Sequence, residues 1–402
     1  MFKVEMLIIH LNKFKFVRII KWLIAHVFFY ILKFEILCEE KFFTNRKKKR
    51  LFLTTGNLSL VNCLAIIEQL KDVGCKDYLI IESGNGSYDF WKRNYEMAQI
   101  HNFKKIRLFS NCRYDVELIL SNFRKIDEVF MLNYPKCTDV IPKIYPKSSV
   151  NLIDEGFASL IHNNIENIKN FKYFYTYKYI NKIDGFGFTK KVMNNFVNID
   201  TKNFQKVSKI ISSKYPIKTP INFDEKNILY CGIYWTVSGL DKETFIKEQT
   251  TQIESLIKAG YKILYKPHPR DTEFYGLEKN PDITFIKSVL PLELYSWDVL
   301  AAVGMNCTSL VHINHYHNIP TFSHILPQTL DNNEEVWKGN LIRFILKEYS
   351  PNYENLLKLD AKNMNKEDLK NKIKEIYDDY LKNKPLLSQN ERVKEYVEKF
   401  KK

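Results

Sequence analysis

The chain is poor in the residues that break or staple a backbone. Glycine and proline number 13 each in 402 residues, too few for a collagen-like or low-complexity chain. Its seven cysteines (Cys38, Cys63, Cys75, Cys112, Cys137, Cys231 and Cys307) are odd in number, scattered, and never spaced Cys-x-x-Cys. That argues against a disulfide framework or a zinc site and for a reducing compartment. There is no Asp-x-Asp pattern to hold a nucleotide-bound metal, and no repeat of fixed period. No uninterrupted run reaches the roughly 20 apolar residues of a membrane span, which excludes a polytopic membrane protein. What is present is ordinary globular material, 45% hydrophobic and 27% charged. At about 100–200 residues per domain, the length implies two domains.

The net charge is +15, and its placement is uneven. Residues 1–50 hold 12 Lys/Arg against 4 Asp/Glu, a net +8, which leaves +7 for the other 352 residues. A polyanion-binding domain would carry its charge on the folded surface. Here the excess flanks Trp22–Cys38, seventeen mostly apolar residues interrupted by Lys33 and Glu35 and followed by Arg46-Lys47-Lys48-Lys49-Arg50. This reads as an interfacial helix with a polybasic clamp for the anionic inner-leaflet surface. The location expected is cytoplasmic, peripheral on the membrane. The alternatives are an ordinary surface helix or an extension ahead of a start at Met6. No small-residue cleavage site follows the apolar run, so a signal peptide is not expected.

From residue 51 the pattern changes to short apolar runs alternating with helical periodicity. Strands are expected near 51–55, 78–81, 105–109, 128–132 and 149–153, then near 227–231, 261–265, 283–286 and 299–303, with helices between them. Asp241–Ala259 reads as a helix closed by Gly260. Residues 165–225, rich in Lys and Asn and poorly periodic, read as a connection. The resulting fold class is α/β: two Rossmann-like lobes of parallel sheet, with a basic, apolar N-terminal extension at 1–49, an acceptor-side lobe at 50–220, a nucleotide-sugar lobe at 221–345 and charged helices at 346–402.

Three clusters fall where strands end, the place where such sheets bind ligands. In Lys266-Pro267-His268-Pro269-Arg270 two prolines keep the imidazole off any helix, and two cations flank it. A phosphate bound there would keep His268 protonated as acid or hydrogen-bond donor. Thr308-Ser309 opens a helix 40 residues later, offering hydroxyls and free amides to an anion. Asp154-Glu155-Gly156 sets two carboxylates on a sharp turn, suited to take a proton from an attacking hydroxyl. Asp241 competes for that role. Each cluster also has a plain structural reading: a charged loop, a helix cap, a solvated turn. Their distribution over both halves suggests a shared cleft. His312, His315 and His317 have no acidic or Cys partner close by in the sequence and read as surface and core-edge residues of a helix; no metal is expected.

The acidic turn, the Lys-x-His-Pro strand end and the late Thr-Ser pair together resemble bacterial sialyltransferases, in particular glycosyltransferase family 52 and the bacterial polysialyltransferases. The segment LFLTTGNLSLVNCLAIIEQL is similar to their first strand, loop and helix, and Pro291-Leu292-Glu293-Leu294 to their Pro-x-Glu element. The resemblance spans roughly residues 50–330. It implies a GT-B-like fold and inverting, metal-independent transfer of sialic acid from CMP-sialic acid to a lipooligosaccharide or capsule glycan, with no cofactor. It would make Asp154 the base with Glu155 beside it, and would place His268 at the CMP phosphate. Lys266 would lie along the nucleotide, Glu293 on the ribose, and Thr308 and Ser309 on the phosphate; Arg270, Gly56 and Asn57 are also expected to bind substrate.

Two other functions compete. One is a CDP-alcohol-dependent glycerol- or ribitol-phosphate transferase of cell-wall polymers. The other is a membrane-associated nucleic-acid-binding or scaffold protein, although no nucleic-acid motif is present. The partners expected are thus a nucleotide-sugar donor and a glycan acceptor, with a homodimer left open.

Overall fold

The computed structural model describes residues 47–383 apart from 72–73, 83–86, 110–125, 133–140, 142–143, 155–164, 166–167, 169, 178–193, 234, 236–239, 269–274, 306, 325–345 and 348. Residues 1–46, which carry the expected membrane contact, lie outside that set, as do Glu155 and Arg270. Among the described residues no helix is long and apolar enough to cross a membrane. The chain forms two compact units, residues 1–176 with 188–207, and residues 177–187 with 208–402.

In the N-terminal unit seven strands form one sheet in the order β3-β2-β1-β4-β5-β6-β7, with every neighbouring pair parallel. They are β1 (Lys49–Thr54), β2 (Lys76–Glu82), β3 (Lys105–Phe109), β4 (Glu128–Leu132), β5 (Ser149–Ile153), β6 (Phe171–Thr176) and β7 (Phe196–Asn198). Helices α1 (Asn57–Leu70) and α2 (Tyr88–Ala98) link the first three strands, and α3 (Thr201–Lys214) follows the last. Strands covered on both faces read as unbroken apolar runs. β1 buries Leu51, Phe52 and Leu53, and Phe52 stacks on Phe130 of β4 at 4.6 Å.

The region expected to be a connection contributes β6, β7 and α3. It was hard to see because β6 starts with exposed Lys172 and Tyr173 before burying Phe174–Thr176. The apolar stripe of α3 rests on Phe204, Val207 and Ile211 among Lys and Ser.

The C-terminal unit repeats the winding with five parallel strands in the order β10-β9-β8-β11-β12. They are β8 (Asn227–Cys231), β9 (Lys262–Lys266), β10 (Ile283–Phe285), β11 (Ala301–Met305) and β12 (Thr321–His324), with α4 (Lys242–Ala259), α5 (Thr308–His317), a single turn α6 (Glu354–Leu357) and α7 (Lys366–Asn383). α4 runs from an Asp241 cap to Gly260 at φ +106, a left-handed position that favours glycine. The charged α7 sends Leu369, Ile373 and Tyr377, spaced i, i+4, i+8, into the core of this unit.

Register aligns Lys266, Cys231, Gly304 and Ser323 in one row across the carboxyl ends of β9, β8, β11 and β12. The backbones crowd there. A Cβ on Gly304 would lie 2.9 Å from the Cys231 carbonyl oxygen, and one on Gly232 would lie 2.9 Å from that of Lys266.

At the opposite end of the first sheet, the Arg50 guanidinium donates twice to Asp77, from Nε at 2.7 Å and Nη2 at 2.9 Å, and His101 Nε2 sits 2.7 Å from the same carboxylate. Arg50 and Asp77 are both buried. Burial pushes the Asp77 carboxyl up, but the His101 and Arg50 contacts outweigh it and hold the group below 3.8.

Two outcomes follow from these packings. Asp77→Ala strands the Arg50 cation and should cost about 3–5 kcal/mol in denaturant unfolding at pH 7. Because the folded pKa is depressed, the Asp77 contribution is present above pH 3.8 and drains as pH falls through the lower folded value, so the gap between wild type and variant should narrow in acid. Gly304→Ala forces the crowded strand ends apart and should lose about 1–3 kcal/mol in the same assay.

Candidate functional site

The order of the C-terminal sheet reverses beside β8: the chain winds outward through β9 and β10, then returns to β11 on the other flank. Doubly wound sheets bind ligands in the crevice past the carboxyl ends at such a point. β8 ends there at Cys231 and β11 at Met305, and α5 starts three residues later. Its N-cap is Cys307, a weak acceptor where an oxygen-bearing side chain is usual. No side-chain oxygen caps this first turn; its Ser309 amide faces the Cys307 sulfur, and the turn carries the positive end of the helix dipole.

Around that helix start the structure gathers a continuous polar cluster. The Cys231 thiol bonds to the Cys307 sulfur; this contact pushes Cys231 up and holds Cys307 down. Both thiols are free and buried. Glu293, on the 3-10 turn Leu292–Leu294 after Pro291, reaches Ser309 and His312 of α5. It is only 3% exposed. Burial pushes its carboxyl up, yet the His312 imidazole and the Ser309 hydroxyl outweigh burial and hold it below the usual carboxylate range. Glu293 is thus an ionised group inside the protein. His312 Nδ1 lies 3.5 Å from Glu293 Oε1, and the ring packs on Tyr177 at 4.3 Å. His317 Nε2 meets the Glu293 backbone carbonyl at 2.8 Å, which ties the turn to the far end of α5.

Lys266 closes β9 in the same register row. Its ammonium donates to the Ser288 carbonyl at 3.0 Å, and burial draws its pKa down. His268, two residues on, is half-buried. Thr308 and Ser309 open α5. Of the residues expected at a substrate, then, Glu293 and Ser309 are brought into contact, with Thr308 beside Ser309 on α5, and Lys266 stands at a strand end in the same sheet.

The others are placed as follows. Asp154 ends β5 in the N-terminal unit, fully buried, with Oδ2 accepting from the Thr176 hydroxyl at 2.8 Å and its carbonyl from Asn62 at 3.1 Å. Gly56 and Asn57 sit at the start of α1, where the Ser59 hydroxyl accepts from the Thr55 and Gly56 amides at 3.1 and 3.0 Å. Asp241 is exposed and caps α4, its oxygens accepting from the Thr244 amide at 2.9 Å and hydroxyl at 2.7 Å. The Thr244 bonds hold its carboxyl below the usual value.

His312 was missed as a site residue. No acidic neighbour stands near it in sequence, but the fold supplies Glu293 from nineteen positions upstream. Cys231 and Cys307 were likewise read only as scattered thiols. The usable signal was spacing on α5, since Ser309 and His312 are i, i+3 and share a face. Among the described residues no group of three or more His, Cys, Asp or Glu could hold a metal ion.

No family model and no curated protein matches the chain. Solved structures do resemble it in architecture. The UDP-GlcNAc 2-epimerase of Neisseria meningitidis bound to UDP-GlcNAc is 14% identical over 83% of this chain and 100% of its own, with a TM-score of 0.45. The S. aureus MnaA–UDP structure is 11% identical over 87% and 94%, with a TM-score of 0.48. MurG of Acinetobacter baumannii is 10% identical over 88% and 99%, with a TM-score of 0.41. Likeness at this level transfers no residue role and no substrate. It does correct the family drawn from the motifs: what is found is UDP-sugar epimerases and glycosyltransferases, not family 52 sialyltransferases. The physical reason is that these motifs are short and lie at strand ends and helix starts, where charged turns and Ser/Thr caps also serve purely structural roles.

Proposed function

We propose that the chain is a glycosyltransferase acting on a nucleotide-activated sugar, with the donor's nucleotide bound at the carboxyl edge of the C-terminal sheet. The observation that carries this reading is the cluster at the switch point: an α5 start without an oxygen cap, beside an ionised, buried Glu293. Structure of that kind suits a ligand with an anionic end and a hydroxyl-bearing end. The α5 amides would take the phosphate. The Glu293 carboxylate, which only accepts hydrogen bonds, would take ribose hydroxyls.

In the reaction an acceptor hydroxyl attacks the anomeric carbon and the bond from that carbon to the phosphate oxygen breaks. Charge then grows on the leaving phosphate, where fixed amides, Lys266 and His268 would lower the barrier. A proton on the His268 imidazole could pass to the departing oxygen. The acceptor's proton goes to a carboxylate. Asp154, the base suggested by the motifs, is fully buried and already accepts from the Thr176 hydroxyl, and Asp241 accepts from Thr244, so neither is assigned this role. The chain itself supplies these charges, so no metal is required in the proposal, and the acceptor is proposed to be a glycan.

The test is turnover of a panel of UDP- and CMP-activated sugars with glycan acceptors in EDTA, following both released nucleotide and glycosylated product. One donor class should support transfer, and His268→Ala should cut its rate by on the order of a hundredfold with the thermal melt unchanged. No turnover of any nucleotide sugar, or isomerisation of the donor without transfer, would overturn the assignment.

A further inference from the structure

His312 is 1% exposed, and neither ring nitrogen makes a hydrogen bond. Buried polar atoms left in this state are uncommon and call for a reason. Packing alone does not supply one, because an apolar side chain would fill the space against Tyr177 without the cost of two unsatisfied nitrogens. The ring is instead held where its Nδ1 faces Glu293 Oε1 at 3.5 Å, just beyond hydrogen-bond length. Tyr177 lies tilted against one side of it, and the same tyrosine meets His315 and Tyr316 edge-on. The imidazole is therefore braced by aromatic contacts and aimed at the one buried carboxylate of this turn.

We propose that His312 is a positioning residue for nucleotide recognition: it holds the Glu293 carboxylate turned so that its remaining lone pairs receive the ribose hydroxyls of the donor. This deepens the functional reading above and rests on it. A carboxylate offers about four acceptor positions. Ser309 occupies one, and the imidazole restrains the Oε1 side. On nucleotide binding the 3.5 Å separation closes to a charge-assisted hydrogen bond, which satisfies Nδ1 and fixes Glu293 at once. The energetic benefit appears only when a ribose hydroxyl is present to use the fixed carboxylate. His312 is thereby coupled to the sugar of the nucleotide and not to its phosphate.

The experiment is isothermal titration of the full chain with UDP and CMP, each against its 2′-deoxy counterpart. It is done for wild type, His312→Gln, which keeps a side-chain donor, and His312→Leu, which keeps the packing volume. Wild type should prefer the ribonucleotide by roughly tenfold, the scale of one hydrogen bond to a charged group. His312→Leu should lose that preference while binding the deoxynucleotide as wild type does, and His312→Gln should retain it to within about threefold. A His312→Leu variant that keeps the ribose preference, or that weakens both ligands equally, overturns the positioning role and leaves the nucleotide site standing. Wild type that binds ribo and deoxy forms alike also overturns it. Wild type that binds neither UDP nor CMP overturns the site itself, and the role of His312 with it. Thermal melts of both variants separate a folding defect from a recognition defect, and His312→Gln carries the test if His312→Leu does not fold.

Discussion

An ionised carboxylate enclosed by protein must be answered by hydrogen bonds and opposite charge, and at the carboxyl edge of the C-terminal sheet that carboxylate is Glu293. Its surroundings follow from this need. The Ser309 hydroxyl and the His312 imidazole are spaced one helical turn apart on α5, so a single short helix presents both. The 3-10 turn that carries Glu293 is anchored at its backbone by His317. The strands before the helix crowd together, with Gly304 against the Cys231 carbonyl and Gly232 against that of Lys266. Small residues at the strand ends, an unusual helix cap and a buried acid are thus parts of one arrangement.

The first sheet has the same winding and a different chemistry at its reversal. There the strand order turns beside β1, and α1 follows. The Ser59 hydroxyl accepts from the amides of Thr55 and Gly56, just ahead of the helix, and the cap itself is Gly56, which has no side chain. At α5 the cap is a cysteine whose sulfur is engaged with Cys231 and with Ser309. Both helix starts therefore lack a side-chain oxygen at the cap.

Much of the fold was legible in the sequence because β1, β2, β4, β5, β8 and β9 are short apolar runs ended by turn residues, the pattern of strands covered on both faces. Asp241 and Gly260 marked both ends of α4. The stretch 165–225 was opaque because β6 is half solvated and α3 carries only three buried apolar residues in fourteen. For the site, the strand-end positions of Lys266 and His268 and the helix start at Thr308 could be read from local pattern, whereas Glu293 entered only through the resemblance. The pairing of Glu293 with His312 could not, since nothing local records a contact made by folding a turn back onto a helix. The family suggested by those same motifs was misleading for the converse reason: strand-end chemistry reports the architecture before it reports the substrate.

Hydrogen–deuterium exchange with and without saturating UDP or CMP tests the central claim most directly, because it maps where the nucleotide settles without assuming a reaction. The account predicts slowed exchange in peptides covering Pro291–Tyr295 and Gly304–His312, with the segment around Lys266 following. Protection confined to the carboxyl ends of the first sheet, or none with either nucleotide, would contradict it.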